Sequence, residues 1–434
     1  MPVKTLPILA GFLLLGTAGP AAAVTPQALQ SAVNDVGDQV VVWRRDFHAN
    51  PELSNREFRT SKIVADELRA MGYEVKTGIA HTGVVGILRG SRPGPVVALR
   101  ADMDALPVTE QGDLPFRSTV RATYNGQETG VMHACGHDAH VAIGLGAARV
   151  LAGMREQLPG TVMMIFQPAE EGAPKGEEGG AELMLDEGLF DIAKPDAIFG
   201  LHVWSGLNAG VIGYRSGPMM ASSDRIEIVV NGRQTHGSKP WGGVDPIVVA
   251  AQIVMSLQTI TSRQMDITRA PAVVSIGSIH GGIRNNIIPD EVTMLGTVRT
   301  FDQQMREDIA ERIDRTVRTT ADAAGASASV EYDFGYPVTV NDPELTARSI
   351  PVLESVAGPA NVIQNGLITG AEDFSYFQKQ VSGFYFMLGA TPPGQDASKA
   401  PSNHSPLFYV DESTLPVGVG ALTALALMAL ESGS

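Results

Sequence analysis

Short runs of unbroken apolar residues, each set between stretches of helical periodicity, leave this chain few ways to fold. Such runs occupy 84–88, 96–100, 162–166 and 197–202, with another at 384–388. Strands that are apolar without alternation are buried on both faces, as in a mostly parallel sheet covered by helices. Helical periodicity fills 27–48, 57–71 and 139–154. The apolar run 415–430 contains glycines and falls short of a membrane span, so it reads as a buried terminal helix. The expected fold is α/β, built on a mostly parallel sheet.

The texture changes in the middle of the chain. Strand signals at 225–230, 272–279, 291–299 and 328–334 are interleaved with helical ones at 246–262 and 302–324. In the second helix Met305, Ile309, Ile313 and Val317 share one face. That order is βαββαβ, a ferredoxin-like unit that closes on itself. The expected organisation is a catalytic α/β domain in two parts, 24–220 and 335–434, interrupted by an inserted lid and dimerisation domain at 221–334. Residues 1–23 stand apart. Lys4 precedes the apolar run 6–15, and small residues lead to Ala21-Ala22-Ala23, the pattern of a signal segment with an A-x-A cleavage site. An exported protein, periplasmic or secreted after cleavage near Ala23, is expected, with no membrane association afterwards.

With 44% hydrophobic and 18% charged residues, the 434-residue chain is too apolar to be disordered. Its 32 Lys+Arg against 47 Asp+Glu give a net charge of −15, which argues against nucleic acid or anionic lipid as a partner. The single cysteine, Cys135, rules out an intramolecular disulfide. In an oxidising compartment such a thiol needs protection or a purpose.

The densest chemistry lies in Met132-His133-Ala134-Cys135-Gly136-His137-Asp138-Ala139-His140. Cys135 and His137 are two residues apart just before a helix and can face the same way; a thiolate with an imidazole suits a borderline divalent metal. Asp138 is placed to cap the helix that starts at Ala139. Taken alone, the cluster reads equally well as a buried Cys beside surface histidines. It is not alone. The 162–166 strand runs into Glu170-Glu171, adjacent carboxylates that repel unless solvated or facing a cation. The 197–202 strand delivers His202, Asp102 follows the 96–100 strand, and His404 lies in Asn403-His404-Ser405-Pro406 beyond the 384–388 strand. Ligands of open α/β sheets bind beyond the carboxyl ends of the strands, so these groups point to one edge. His48, His81, His133, His140 and His280 read as packing, capping or turn residues, with His140 facing away from the metal site.

On these stretches the chain resembles the M20 metallopeptidase and amidohydrolase family, in the branch of hippurate hydrolase, N-acyl amino acid amidohydrolases and plant auxin-conjugate hydrolases. The resemblance runs through Phe47-His48-Ala49-Asn50-Pro51-Glu52-Leu53, Arg100-Ala101-Asp102-Met103-Asp104, the Cys135 cluster and Gln167-Pro168-Ala169-Glu170-Glu171-Gly172. It continues with Gly200-Leu201-His202-Val203, residues 282–290, Glu372-Asp373-Phe374 and Asn403-His404-Ser405-Pro406, in family order. The better-known peptidases of the family carry His-x-Asp where this chain has Arg100, which leaves Cys135 as the compensating ligand. The resemblance implies a two-metal site held by Cys135, His137, Glu171, His202 and His404, with Glu170 as general base and Asp102 orienting a ligand behind the metals. It also implies that His236 reaches a neighbouring active site in a homodimer formed through the lid, and that Asn286 and Arg299 contact the substrate's carboxylate. Ala371 stands where relatives usually carry Ser, a change that bears on pocket polarity and not on the ligands.

The expected activity is metal-dependent hydrolysis of the amide bond of an N-acyl amino acid or similar small conjugate. A carboxypeptidase or dipeptidase on the same two metals is the alternative, and a non-catalytic periplasmic binding module a second one. Zinc suits Cys/His ligation, manganese is equally expected, and cobalt or nickel also fit carboxylate-rich sites.

Overall fold

The computed structural model describes Met1 and residues 24–432; residues 2–23, on which the signal reading rests, lie outside the described residues. The largest sheet has eight strands, in the order Glu74–Ile79, Gly83–Arg89, Pro159–Gln167, Arg92–Asp102, Ala197–Asn208, Gly383–Thr391, Ile212–Tyr214 and Val362–Gln364. The four in its middle, Pro159–Gln167 to Gly383–Thr391, are mutually parallel, while the first two and Ile212–Tyr214 join by antiparallel pairing. Alternate residues of the central strands enter two cores. Leu99, Met164, Phe199 and Phe386 face helices Pro26–Ala49, His137–Gly153 and Leu415–Glu431; Ala98, Met163, Ile198 and Tyr385 face Met184, Phe374 and Phe377. Burial on both sides explains why these strands are apolar without alternation.

Local chemistry sets the helices. Thr25 caps the first by accepting the Ala28 amide at 3.2 Å, and Pro26 opens its first turn. Val33, Val36, Val40, Trp43 and Phe47 then recur at helical spacing and are buried. The terminal helix Leu415–Glu431 is apolar enough to cross a membrane by length and composition, but 78% of its apolar window is buried inside the protein.

Between the paired strands Gly217–Met220 and Thr339–Asn341 the chain builds a second unit. Its sheet runs Ala272–Gly281, Glu291–Thr300, Asp224–Asn231, Ser327–Asp333, antiparallel throughout. Helices Pro246–Thr259 and Gln303–Ala323, capped by Asp245 and Asp302, cover one face with Ile253, Leu257, Met305, Ile309, Ile313 and Val317. In chain order this is strand, helix, strand, strand, helix, strand. The expected fold class, a mostly parallel α/β sheet with a βαββαβ insertion, is the one observed. Arg306 fixes the seam between the units: it pairs with buried Asp224 and donates to the Gly335 carbonyl at 2.8 Å.

Candidate metal centre

The turn carrying Cys135 and His137 depends on one glycine. Gly136 has φ +94°, and a Cβ there would lie 2.2 Å from Val203 Cγ2. Only glycine lets the chain swing from Cys135 straight into the helix. That helix begins at His137, with Gly136 at its cap position and no side-chain cap. The expectation that Asp138 caps it is therefore corrected. Arg44 Nε donates to Asp138 Oδ2 at 2.9 Å, and His48 Nδ1 lies at the same distance. Asp138 thus ties the turn to the first helix, with His48 buried beneath it and Glu110 3.2 Å away on the other ring nitrogen.

The donors converge. Cys135 Sγ lies 3.3 Å from His202 Nε2 and 3.2 Å from His404 Nε2, and His404 Nε2 is 3.0 Å from Glu171 Oε1. His137 Nε2 is 3.8 Å from both Asp102 Oδ2 and Glu170 Oε2. It is buried without a hydrogen-bond partner, aimed among anionic groups. In the sets Cys135/His137/His202 and Cys135/Glu171/His404 all ligand atoms lie within 4.8 Å of one another, so the thiolate belongs to both. The remaining ring nitrogens are already fixed. His137 Nδ1 donates to the Asp104 carbonyl at 2.9 Å and His202 Nδ1 to the Val203 carbonyl at 2.7 Å, leaving each Nε2 free to bind a cation. The residues present fit a pair of divalent cations.

Sequence reading placed His140 away from this site, and the structure corrects that. Its ring stacks on His137 at 5.2 Å; Nε2 accepts the Val203 amide at 2.8 Å, and Nδ1 donates to Asp102. Both nitrogens are used, so His140 is a supporting residue. Asp102 is held between His140 and Arg100. Arg100, 2% exposed, also donates to Gln167 (2.8 Å), Glu372 (2.9 Å) and Asp373 (2.8 Å), and Tyr385 donates to Glu372 at 2.6 Å. This buried network was missed from sequence, although Arg100 and Glu372-Asp373 were both visible as motif residues.

Without a cation the charges work against each other. Burial, then the charges of Glu372, Glu171 and Asp373, push the Glu170 carboxyl well above its usual range. Burial, then Glu171 and Glu170, do the same to the Cys135 thiol. Burial opposes charging His137, yet Asp102 and Asp104 outweigh it and raise its pKa to about 10. Burial, followed by the charge of His140, holds His202 well below the imidazole range. Positive charge placed among the donors reverses the sign of these pressures on Cys135 and Glu170.

Cys135, Glu170, Glu171, His202 and His404 open into a cleft of about 430 Å³, whose other walls include Trp204, Met220, Arg299 and Tyr336, with Ala371 beside Gly370. Tyr336, also missed from sequence, donates its hydroxyl to the Glu170 carbonyl at 2.6 Å. Arg299 reaches the cleft from the inserted unit. His236 and Asn286 do not line it: both are exposed, side by side on the short ribbon formed by Thr235–His236 and Ile287–Ile288, where the Gly237 amide donates to the Asn286 carbonyl at 2.8 Å.

Fold and donor set together define a metal-dependent amidohydrolase. The chain belongs to peptidase family M20/M25/M40, whose profile matches residues 98–428. It is 41% identical to thermostable carboxypeptidase 2 of Saccharolobus solfataricus over 403 residues, 92% of this chain and 98% of that one. It is 39% identical to an N-acyl-L-amino acid amidohydrolase of Geobacillus stearothermophilus over 318 residues, 73% of this chain and 82% of the relative. Among solved structures it resembles a dinuclear metal-binding M20 peptidase from Bacillus subtilis, with TM-score 0.77 and 35% identity over 92% of this chain and 99% of that chain. One expectation is overturned at this point. Export to the periplasm or medium is not borne out by these relatives, a thermostable carboxypeptidase and an N-acyl-L-amino acid amidohydrolase. An apolar run after a single Lys is too general a pattern to carry that reading.

Proposed function

We propose that the protein hydrolyses the amide bond of N-acyl amino acids or similar small conjugates, with two divalent cations, zinc or manganese, held by Cys135, His137, Glu171, His202 and His404. The observation that carries this reading is the pair of three-residue donor sets sharing Cys135, set in the same cleft as Arg299. When bound, such cations polarise an amide carbonyl and lower the pKa of a water toward neutrality. Glu170 takes the proton of the attacking water and hands it to the leaving amine, acting as base and then acid. Asp102 orients the ligand layer through His140. Arg299 is half-buried in the cleft wall, and the one carboxylate whose charge acts on it, Asp224, is already paired with Arg306, so it is available to the substrate's carboxylate; Asn286, outside this cleft, would reach the substrate of the neighbouring copy together with His236.

His236 serves a neighbouring copy's site in a homodimer formed through the inserted unit 221–334, which acts as lid between the catalytic parts 24–220 and 335–434. Exposed Val248 (53%), Met255 (71%), Ile279 (52%) and Ile283 (97%) on that unit support such a face. A carboxypeptidase reading remains the alternative, favoured by the carboxypeptidase relative.

A panel of N-acyl amino acids and free dipeptides, run on metal-reconstituted protein, separates the two. Faster turnover of hippurate-type substrates is expected, and a preference for dipeptides would overturn the amidohydrolase reading. Replacing the shared thiolate, Cys135→Ser, is expected to weaken metal binding by at least ~10–100-fold, the loss typical of even outer-layer changes. Elemental analysis after gel filtration checks this, and full occupancy would sink the ligand assignment.

A further inference from the structure

Two crossings join the inserted unit to the catalytic part, between Met220 and Asp224 and between Asp333 and Thr339. They lie against each other. A Cβ on Gly335 would come within 2.4 Å of the Ser223 carbonyl oxygen, and the Ser223 amide donates to the Tyr336 carbonyl at 2.9 Å. Ser222, fully buried, holds Thr300 twice: its amide donates to the Thr300 carbonyl at 2.8 Å, and its hydroxyl accepts the Thr300 amide at 3.3 Å. Thr300 follows Arg299 on the strand Glu291–Thr300. On the other side, Arg306 and Tyr376 both donate to the Gly335 carbonyl, at 2.8 and 3.3 Å, which pins the backbone beside Tyr336. The Tyr336 side chain lines the cleft, and its hydroxyl donates to the Glu170 carbonyl at 2.6 Å. Arg299 and Glu170 are thus joined through neighbouring residues and hydrogen bonds of 3.3 Å or less.

A group remote from the scissile bond raises kcat only when its binding is felt at the reacting atoms. Here the two contacts belong to different units of the fold, Arg299 to the inserted one and Glu170 to the catalytic one. Their spacing then decides whether a bound carboxylate brings the amide to the base, and a misplacement of ~1 Å can cost ~10²-fold in rate. We infer that Tyr336 is a positioning residue that fixes the spacing between Arg299 and Glu170, so that the substrate's carboxylate raises kcat and not affinity alone. This rests on the reading above, in which Arg299 takes that carboxylate and Glu170 is the base. A fixed spacing also selects the substrate: conjugates of α-amino acids are favoured over those of β-amino acids, whose carboxylate stands one methylene further from the amide.

The test is Tyr336→Phe, which removes the hydroxyl alone, assayed on metal-loaded protein with N-benzoyl-alanine and N-benzoyl-β-alanine. The ratio of kcat between the α and β substrates is expected to fall at least ~10-fold. KM for the α substrate should stay within about twofold of wild type. An unchanged kcat ratio, or a change confined to KM, would overturn the proposal. If Tyr336→Phe does not fold by circular dichroism, Ser222→Ala decides, because it removes the acceptor of the Thr300 amide at the far end of the path. A kcat ratio lowered ~3–10-fold supports the role, and an unchanged one overturns it. Arg299→Ala runs alongside. If it leaves KM for the α substrate unchanged, the carboxylate reading fails and the spacing role with it. If KM rises there while the ratio holds in Tyr336→Phe, only the spacing role fails.

Discussion

Glu170→Ala is expected to lower turnover by ~10²–10⁴-fold while metal content stays at the wild-type level. Glu170 is 5% exposed and lines the cleft; it lies outside both donor sets that contain Cys135, and the third set it shares, with His137 and Glu171, is why metal content must be measured beside turnover. Its removal leaves Cys135, His137, Glu171, His202 and His404 in place, so the loss should appear in the chemical step and not in cation binding. Burial and three neighbouring carboxylates raise its proton affinity, which is what a group must have to take a proton from water and keep it until the amine leaves. Glu170→Gln makes the comparison stricter, because it keeps the volume and the Tyr336 bond to the Glu170 carbonyl while removing the basic oxygen. Stopped assays on the metal-loaded variants, with elemental analysis of the same samples, provide the check. Turnover within a fewfold of wild type would remove Glu170 from the mechanism, and loss of metal with activity would make it a ligand.

Sequence alone carried this site a long way, for a physical reason. Asp102, Glu170-Glu171 and His202 follow strands whose apolar runs are unmistakable, a parallel sheet puts such strand ends at one edge, and Cys135 and His137 stand out as a dense cluster at a helix start. The errors have an equally physical pattern: they concern partners that arrive from far along the chain. Asp138 stands where a helix cap belongs, but Arg44 and His48 of the first helix take its carboxylate. His140 reads as an outward helix residue, yet Asp102 and the Val203 amide claim both its nitrogens. The strand carrying His202 was read to end there; pairing with Gly383–Thr391 carries it to Asn208, past a register shift no local pattern announces. Apolar runs also do not state direction. The 84–88 strand pairs antiparallel with Pro159–Gln167, although its sequence looks like that of its parallel neighbours.

The Arg100 network shows the same limit most sharply, and it sets the largest stability effect expected here. Arg100→Met should leave Asp102, Glu372 and Asp373, each at most 1% exposed, without the guanidinium they share, and Glu372 and Asp373 with no ion-pair partner among the described residues. Breaking one buried pair costs ~3–5 kcal/mol, against a total stability of ~5–15 kcal/mol for a typical domain. The deficit should depend on pH, with a sign that follows from Asp373. Burial raises that carboxyl first, and Glu372 adds to it against the opposition of Arg100, so its pKa is about 8 even with the guanidinium in place. Without Arg100 it rises further, while in the unfolded chain it returns to about 4. Between those values the folded state binds more protons than the unfolded one, so stability falls as pH rises. Wild type and variant share that decline up to about pH 8, and the variant should fall steadily behind between about pH 8 and pH 10, where the wild-type carboxyl ionises and the variant's does not. Melting temperatures of metal-free wild type and Arg100→Met, taken across that range, test this directly. A deficit that stays constant or shrinks with rising pH would show that the three carboxylates do not depend on Arg100. Arg100→Lys should recover only part of the loss, since an ammonium restores the charge but cannot span Gln167, Asp102, Glu372 and Asp373 as the planar guanidinium does.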